Sequence, residues 1–308
     1  MSSPSPATLI VPFAGASNEA ARHALHDLPL PQLDRLLARL SPGTRDEADA
    51  LSLSPPHERA LAAALGWQAE DGTLPWAARL SGDNTQPWGL LTPVHLHVGT
   101  EQVSMTDPAA LQLDEAASRE LLSIVAPLFE TEGFTLHWAG PLQWLATHAL
   151  FDGLATASID RVIGRNIDPW LPDQRSARLI RRLQNEVQML LYTHAVNDRR
   201  EAAGLPTVNS FWLSGCGRLP AGPTLPTPRV DDRLRGPALN EDWTAWREAW
   251  AALDAGPLAT LAATPGPLRL VLCGERAAQT FEDLPRGLWQ RLSARWRAPA
   301  ATPLLETL

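Results

Sequence analysis

The sequence predicts an α/β protein with a compact α+β segment inside it, and three observations carry that prediction. Residues 7–16 (ATLIVPFAGA) read as a buried apolar strand entering a small-residue loop. Between residues 87 and 140, strand alternation gives way to a helical stripe and then to a strand again, which describes a strand–helix–strand unit. Residues 176–205 carry the longest helical periodicity and lead into the aromatic strand Phe211-Trp212-Leu213.

Composition narrows the function classes. A chain of 308 residues can bury a sizeable core in one large domain or two smaller ones. A formal charge of −8 argues against a sequence-independent nucleic-acid surface, because such binding neutralises many phosphates with basic side chains. All 26 basic residues are arginine. Schiff-base chemistry, a lysine base and a P-loop lysine are therefore excluded, and anion recognition falls to guanidinium forks, backbone N–H groups or histidine. The two cysteines, Cys216 and Cys273, lack CxxC partners, which argues against a structural zinc or a disulfide framework. The first 17 residues have no basic start and too short an apolar run to cross a bilayer, so a cytoplasmic protein without a membrane partner is expected.

The elements follow in order. Residues 30–40 (LPQLDRLLARL) show apolar positions at helical spacing, and a helix at 57–66 starts after Pro55-Pro56 within a polar stretch. Over 87–105, Val94, Leu96 and Val98 alternate with His95 and His97; the two histidines read either as half a metal site or as solvent-facing residues. Leu121, Leu122, Val125 and Leu128 stripe a helix within 111–133, and 134–140 is a strand. The helix over 176–205 presents Leu179, Leu183, Val187, Leu190 and Leu191. The strand at 211–213 then ends in a small-residue turn, Ser214-Gly215-Cys216-Gly217, where Cys216 is either a nucleophile among backbone N–H groups or an inert thiol. Residues 218–240 read as a linker, and helices near 241–253 and 285–296 flank a strand at 268–274. Trp243, Trp246 and Trp250 share one helix face, as packing residues do. Trp289 and Trp296, with Arg291, Arg295 and Arg297, mark a candidate protein-interaction surface or a packed helix with a solvated basic face.

The segment from His194 to Gly217 (HAVNDRREAAGLPTVNSFWLSGCG) resembles the archaeal-type cofactor-independent phosphoglycerate mutases. His194, Val196, Asn197, Arg199 or Arg200, Gly204, Asn209, Trp212, Gly215 and Gly217 fall on that family's pattern. Residues 158–172 (SIDRVIGRNIDPWLP) are similar to its Ser-Asp-Arg stretch and residues 90–125 (LLTPVHLHVGTEQVSMTDPAALQLDEAASRELLSIV) resemble its inserted domain, so the resemblance runs from about 88 to 217. A degenerate bacterial branch, the RpfE-type regulatory proteins, is similar in layout through LVLCGERAAQTFEDLPRGLWQRL. The resemblance implies an alkaline-phosphatase-like core sheet from residues 1–87 and 176–308, with an inserted α+β domain over 88–175.

It also implies two divalent metals, Mn or Mg, and a serine nucleophile, which would need carboxylate and imidazole ligands. The sequence departs from that requirement. The first strand ends in Phe13-Ala14-Gly15-Ala16, with Ser17, Asn18 and Glu19 as the nearest polar residues, and no histidine follows His194. Glu275 and Arg276 stand where a Gly-Asp-His group is expected. The expectation is a member without a metal site or cofactor that holds a small phosphorylated or carboxylated ligand, or a protein partner. The resemblance supplies His194, Asn197, Arg199, Asn209, Gly215 and Gly217 as ligand contacts; His194 also reads as a helix cap. Arg161 and Arg165, four apart, form a candidate anion clamp, with ion pairs to Asp160 and Asp168 as the other reading. Two alternatives remain open: an active mutase or phosphatase with ligands scattered among His148, Asp152, Asp160, Asp168 and His194, and an interaction module built on the tryptophan-rich helices.

Overall fold

The computed structural model describes residues 6–100, 102–172, 177–222, 225–283 and 301–308. The chain forms two compact units, one of residues 1–50, 55–67 and 224–308, the other of residues 51–54 and 68–223. Both combine helices with sheet, and the class is α/β. Residues 176–223, which the resemblance assigns to the core with the chain ends, lie in the second unit.

The first unit begins with β1 (Ala7–Val11), α1 (Glu19–Leu25), α2 (Pro31–Arg39), β2 (Ser41–Glu47) and α3 (Pro56–Ala64). The second unit contains α4 (Trp76–Ser81), β3 (Trp88–Val94), β4 (Leu96–Val98), β5 (Val103–Met105), α5 (Glu115–Thr131), β6 (Thr135–Gly140), β7 (Gln143–Thr147), α6 (Ala177–Tyr192), α7 (Ala195–Ala202) and β8 (Ser210–Gly217). The chain returns to the first unit with β9 (Arg229–Val230), α8 (Arg235–Leu239), α9 (Trp243–Leu253), α10 (Ala259–Ala263), β10 (Leu268–Cys273), β11 (Ala277–Glu282) and α11 (Ala301–Leu305).

In the first unit the strand order is β2-β11-β10-β1-β9. β1 runs parallel to both β10 and β9, while β11 is antiparallel to β10 and β2. Leu9, Val11, Leu270, Leu272 and Phe281 join a core with Leu25, Leu33, Leu36, Trp246 and Trp250. Ile10, Val271, Cys273 and Ala278 form a separate cluster under Ala60, Leu61 and Ala64 of α3. β1 is thus covered on both faces, which explains its unbroken apolar run. The tryptophans of α9 pack edge to face, Trp243 on Trp246 at 5.9 Å and Trp246 on Trp250 at 6.0 Å.

α2 starts at Pro31 and its own flanking residue, Leu30, offers no capping side chain. Asp254 supplies the cap from a π-helical turn, Asp254–Leu258, with its carboxylate accepting from Leu33 N at 2.8 Å and Gln32 N at 3.1 Å. Burial pushes the Asp254 carboxyl above its ordinary value, against the pull of these bonds, and the charge of Asp34 adds to the rise.

In the second unit the strand order is β6-β7-β3-β8, antiparallel throughout. Leu121, Val125 and Phe129 of α5 and Leu183 and Val187 of α6 share its main core. The Phe129 ring meets Phe134 at 5.8 Å and Phe211 at 5.2 Å, both edge-on. Ala77 and Ala78 of α4 join Trp88 and Leu145 in a smaller cluster. Ser118, fully buried, donates to Pro141 O and accepts from the indoles of Trp138 and Trp144, so no polar atom of the group is stranded.

Several sequence expectations change. The periodic stretch over 176–205 is two helices, because His194 is extended at φ −86°, ψ 134°. The alternation of 94–98 breaks at His95, whose ring turns to Thr207 O at 2.8 Å, and β4 pairs with β5 in its own hairpin; the two histidines share no strand face. Residues 214–217 are no turn but the second half of β8. The linker over 218–240 contains β9 and α8. The polar residues 41–47 form strand β2. The helix expected at 285–296, with Trp289, Trp296, Arg291, Arg295 and Arg297, lies outside the described residues. Among the described residues no helix is long and apolar enough to cross a membrane.

Two measurements test these anchors. Asp254→Ala removes both acceptors from α2 and is expected to lower stability by about 1–2 kcal/mol in urea unfolding. In the second unit, burial would raise the Asp71 carboxyl, but bonds from Leu53 N, Ser54 N and the Ser52 and Ser54 hydroxyls hold it below its ordinary 3.8. Its stabilisation is complete above 3.8 and is lost as pH falls through the lower folded value. The stability gap between wild type and Asp71→Asn should therefore be constant near neutrality and close on acidification below that point.

Candidate functional site

The resemblance-derived residues are used by the fold of the second unit. His194 caps α7, accepting from Val196 N at 3.2 Å through Nδ1. Asn197, 5 % exposed, donates to Leu191 O and Val208 O and accepts from Val208 N, so both ends of its amide are engaged. Asn209 brackets Leu96, donating to its carbonyl at 2.8 Å and accepting from its N–H at 2.7 Å. Arg199 is an exposed ion-pair partner of Glu120, 2.5 Å away. Arg200, its alternative in the motif, is buried and donates to Pro206 O and Leu111 O. Arg161 is buried with its guanidinium 5.8 Å from the Trp170 ring, whereas Arg165 is exposed.

Gly215 and Gly217 have positive φ, 62° and 138°. A Cβ on Gly215 would lie 3.1 Å from Trp76 Cβ and 3.2 Å from Ala77 N, so this glycine allows β8 to lie against α4. Pairing with β3 shifts register between Trp88 and Leu90, across these same residues. Cys216 between them is buried, and burial pushes its thiol far above the ordinary range, which removes the thiolate a nucleophile needs. His148 caps its own turn through Leu150 N and stacks on Phe134 at 4.1 Å.

The first unit holds a cavity where open α/β sheets place ligands, outside the carboxyl ends of parallel strands. β1 ends at Val11 and turns through Pro12-Phe13; Phe13 takes φ 56°, a strained conformation for an aromatic residue. Trp246 donates its indole N–H to Phe13 O at 3.0 Å, and His57 sits 5.2 Å from the Phe13 ring. Ala14 N bonds Cys273 O at 2.7 Å, fixing the loop after β1 beside the β10–β11 turn. The segment 301–308 lies along the same loop: Ala16 N donates to Leu305 O, and Arg45 of β2 donates to Thr307 O. Leu308 packs so close to Gly274 that a Cβ there would fall 2.4 Å from its backbone.

These elements enclose about 430 Å³ of mostly polar space lined by Ser17, Arg45, Glu47, Glu275, Arg276 and Glu306, among others. Arg45 is committed to Glu47 at 2.5 Å. Arg276, exposed at the turn, has no hydrogen-bond or ion-pair partner for its guanidinium among the described residues. Ser17, Glu275 and Arg276 were visible in the sequence beside strand ends. Arg45, Glu47 and Glu306 were missed, since a wholly polar strand and a short terminal helix carry no periodic signal.

The chemistry of two divalent metals does not fit the described side chains. After β1 the chain runs Phe13-Ala14-Gly15-Ala16 with no carboxylate, and Asp231 at the end of β9 is held bidentately by Arg233 at 2.6 and 3.0 Å. Among the described residues no three His, Cys, Asp or Glu side chains gather around a point where a metal could be held.

No protein-family model matches the chain, and no curated protein matches it. Among solved structures it is similar to a cofactor-independent phosphoglycerate mutase from Thermoplasma acidophilum DSM 1728, at 12 % identity over 98 % of each chain and a TM-score of 0.37. It is also similar to the PH0037 protein from Pyrococcus horikoshii, at 11 % identity over 90 % of this chain and 87 % of that one, with a TM-score of 0.45.

Gly215→Ala tests the role of the β8 glycines. The strained φ and the contact with α4 should together cost about 1–3 kcal/mol, read as a lowered midpoint of thermal unfolding.

Proposed function

We propose that this chain is a phosphoglycerate-mutase-like protein of the alkaline-phosphatase type, from the degenerate bacterial branch, that works by binding in a regulatory role. It holds a small phosphorylated or carboxylated ligand in the first-unit cavity and does not turn it over. One observation carries the reading: Arg276, whose guanidinium has no partner among the described residues, lines a 430 Å³ polar cavity outside the carboxyl ends of β1 and β10. A guanidinium fork offers paired donors to carboxylate or phosphate, and a chain without lysine has no other side chain of permanent positive charge.

In the second unit His194, Asn197, Asn209, Gly215 and Gly217 hold helix starts, strand ends and close packing. Ser17 can donate its hydroxyl to the ligand beside Arg276.

The test combines turnover, metal content and binding. In a coupled phosphoglycerate mutase assay with and without Mn²⁺ the purified protein should be inactive, and elemental analysis should find no stoichiometric metal. Calorimetric titration with 3-phosphoglycerate should show saturable binding, weakened about tenfold or more by Arg276→Ala. Two bound metals per chain together with Mn²⁺-dependent turnover would overturn the proposal.

A further inference from the structure

Five charged side chains named above line the first-unit cavity, and their partners decide what charge a ligand must bring. Arg45 and Glu47 neutralise each other at 2.5 Å, and Arg45 also reaches Thr307 O. Glu275 has a partner of its own. That leaves Arg276 from the β10–β11 turn and Glu306 from the segment after α11. Neither has an ion-pair partner among the described residues, and the two do not pair with each other although they line the same space. The segment carrying Glu306 is fixed in place: Glu306 N bonds Thr302 O, Ala301 N bonds Asp34, and Leu305 and Leu308 are 0 % and 5 % exposed.

A simple anion would satisfy Arg276 and leave Glu306 facing like charge, which disfavours binding. A simple cation would do the reverse. A molecule with an anionic group and an ammonium group satisfies both, and 430 Å³ is room for a small amino-acid-sized compound. Resting on the binding role proposed above, we infer that the ligand of this cavity is a small zwitterion, its phosphate or carboxylate on Arg276 and its ammonium on Glu306. Segment 301–308 then supplies a specificity-determining residue rather than only a cover.

The experiment compares O-phosphoserine with 3-phosphoglycerate, which match in size and anionic groups but carry an ammonium and a hydroxyl respectively at the same carbon. Calorimetry on the full chain should give about tenfold tighter binding of O-phosphoserine. Glu306→Gln should abolish that preference, weakening O-phosphoserine and tightening 3-phosphoglycerate as the like charge is removed, and Arg276→Ala should weaken both ligands. Far-ultraviolet circular dichroism and unfolding midpoints of both variants serve to confirm that the fold is kept. Equal binding of the two ligands by wild type, or a preference that survives Glu306→Gln, overturns the zwitterion inference while leaving anion binding in place. If neither compound binds, the binding role itself falls with it.

Discussion

The parallel pairing of β1 with β10, Ala7 through Val11 against Leu268 through Leu272, is the constraint on which the rest of the first unit depends. It joins residues from opposite ends of the sequence, so it forms only after the entropy of closing a long loop has been overcome. Once made, it sets the loop after β1 beside the β10–β11 turn and makes β10 the template for β11 and, through β11, for the polar edge strand β2. Every side chain that lines the candidate cavity comes from one of these places or from the segment 301–308 laid against them. The two glycines at the junction, Gly15 and Gly274, leave no room for a side chain between the loop, the turn and Leu308.

Hydrogen-bond capacity explains why the recognisable motif and the candidate cavity fall in different units. An amide such as Asn197 has two donors and two acceptor lone pairs on its oxygen. Three bonds to backbone groups of α6 and of the approach to β8 engage both of its ends. The same holds for Asn209, and for Arg200 through two carbonyls. A buried polar side chain engaged in this way locks chain segments together, and losing it strands its partners. Arg276 is the opposite case: exposed on a turn, carrying a fixed charge, and committed to nothing among the described residues.

Apolar periodicity made much of the fold legible. β1, α2, α5, β6, α9 and β10 stand close to where the spacing of leucine, valine and tryptophan put them, and α3 where Pro55-Pro56 put it, because burial of a stripe is a local pattern with a distant cause. The misses have physical reasons. β2 has the sequence SPGTRDE and no apolar face, and it is a strand because the edge of β11 offers its unpaired backbone groups. Ser214-Gly215-Cys216-Gly217 has turn composition, yet its glycines serve a strand that must approach α4 closely. The break at His194 comes from a cap that satisfies Val196 N, a choice that periodicity over 176–205 does not register.

By itself the sequence determined the fold class, the apolar stripes, the absence of lysine chemistry and the lack of a carboxylate after the first strand, since each is a property of residue identity and local spacing. The tertiary structure alone decided which polar groups remain available. Availability depends on what every other donor and acceptor in the fold has taken, and that is settled only when residues such as Arg45 and Thr307, or Asp254 and Leu33, meet across the fold.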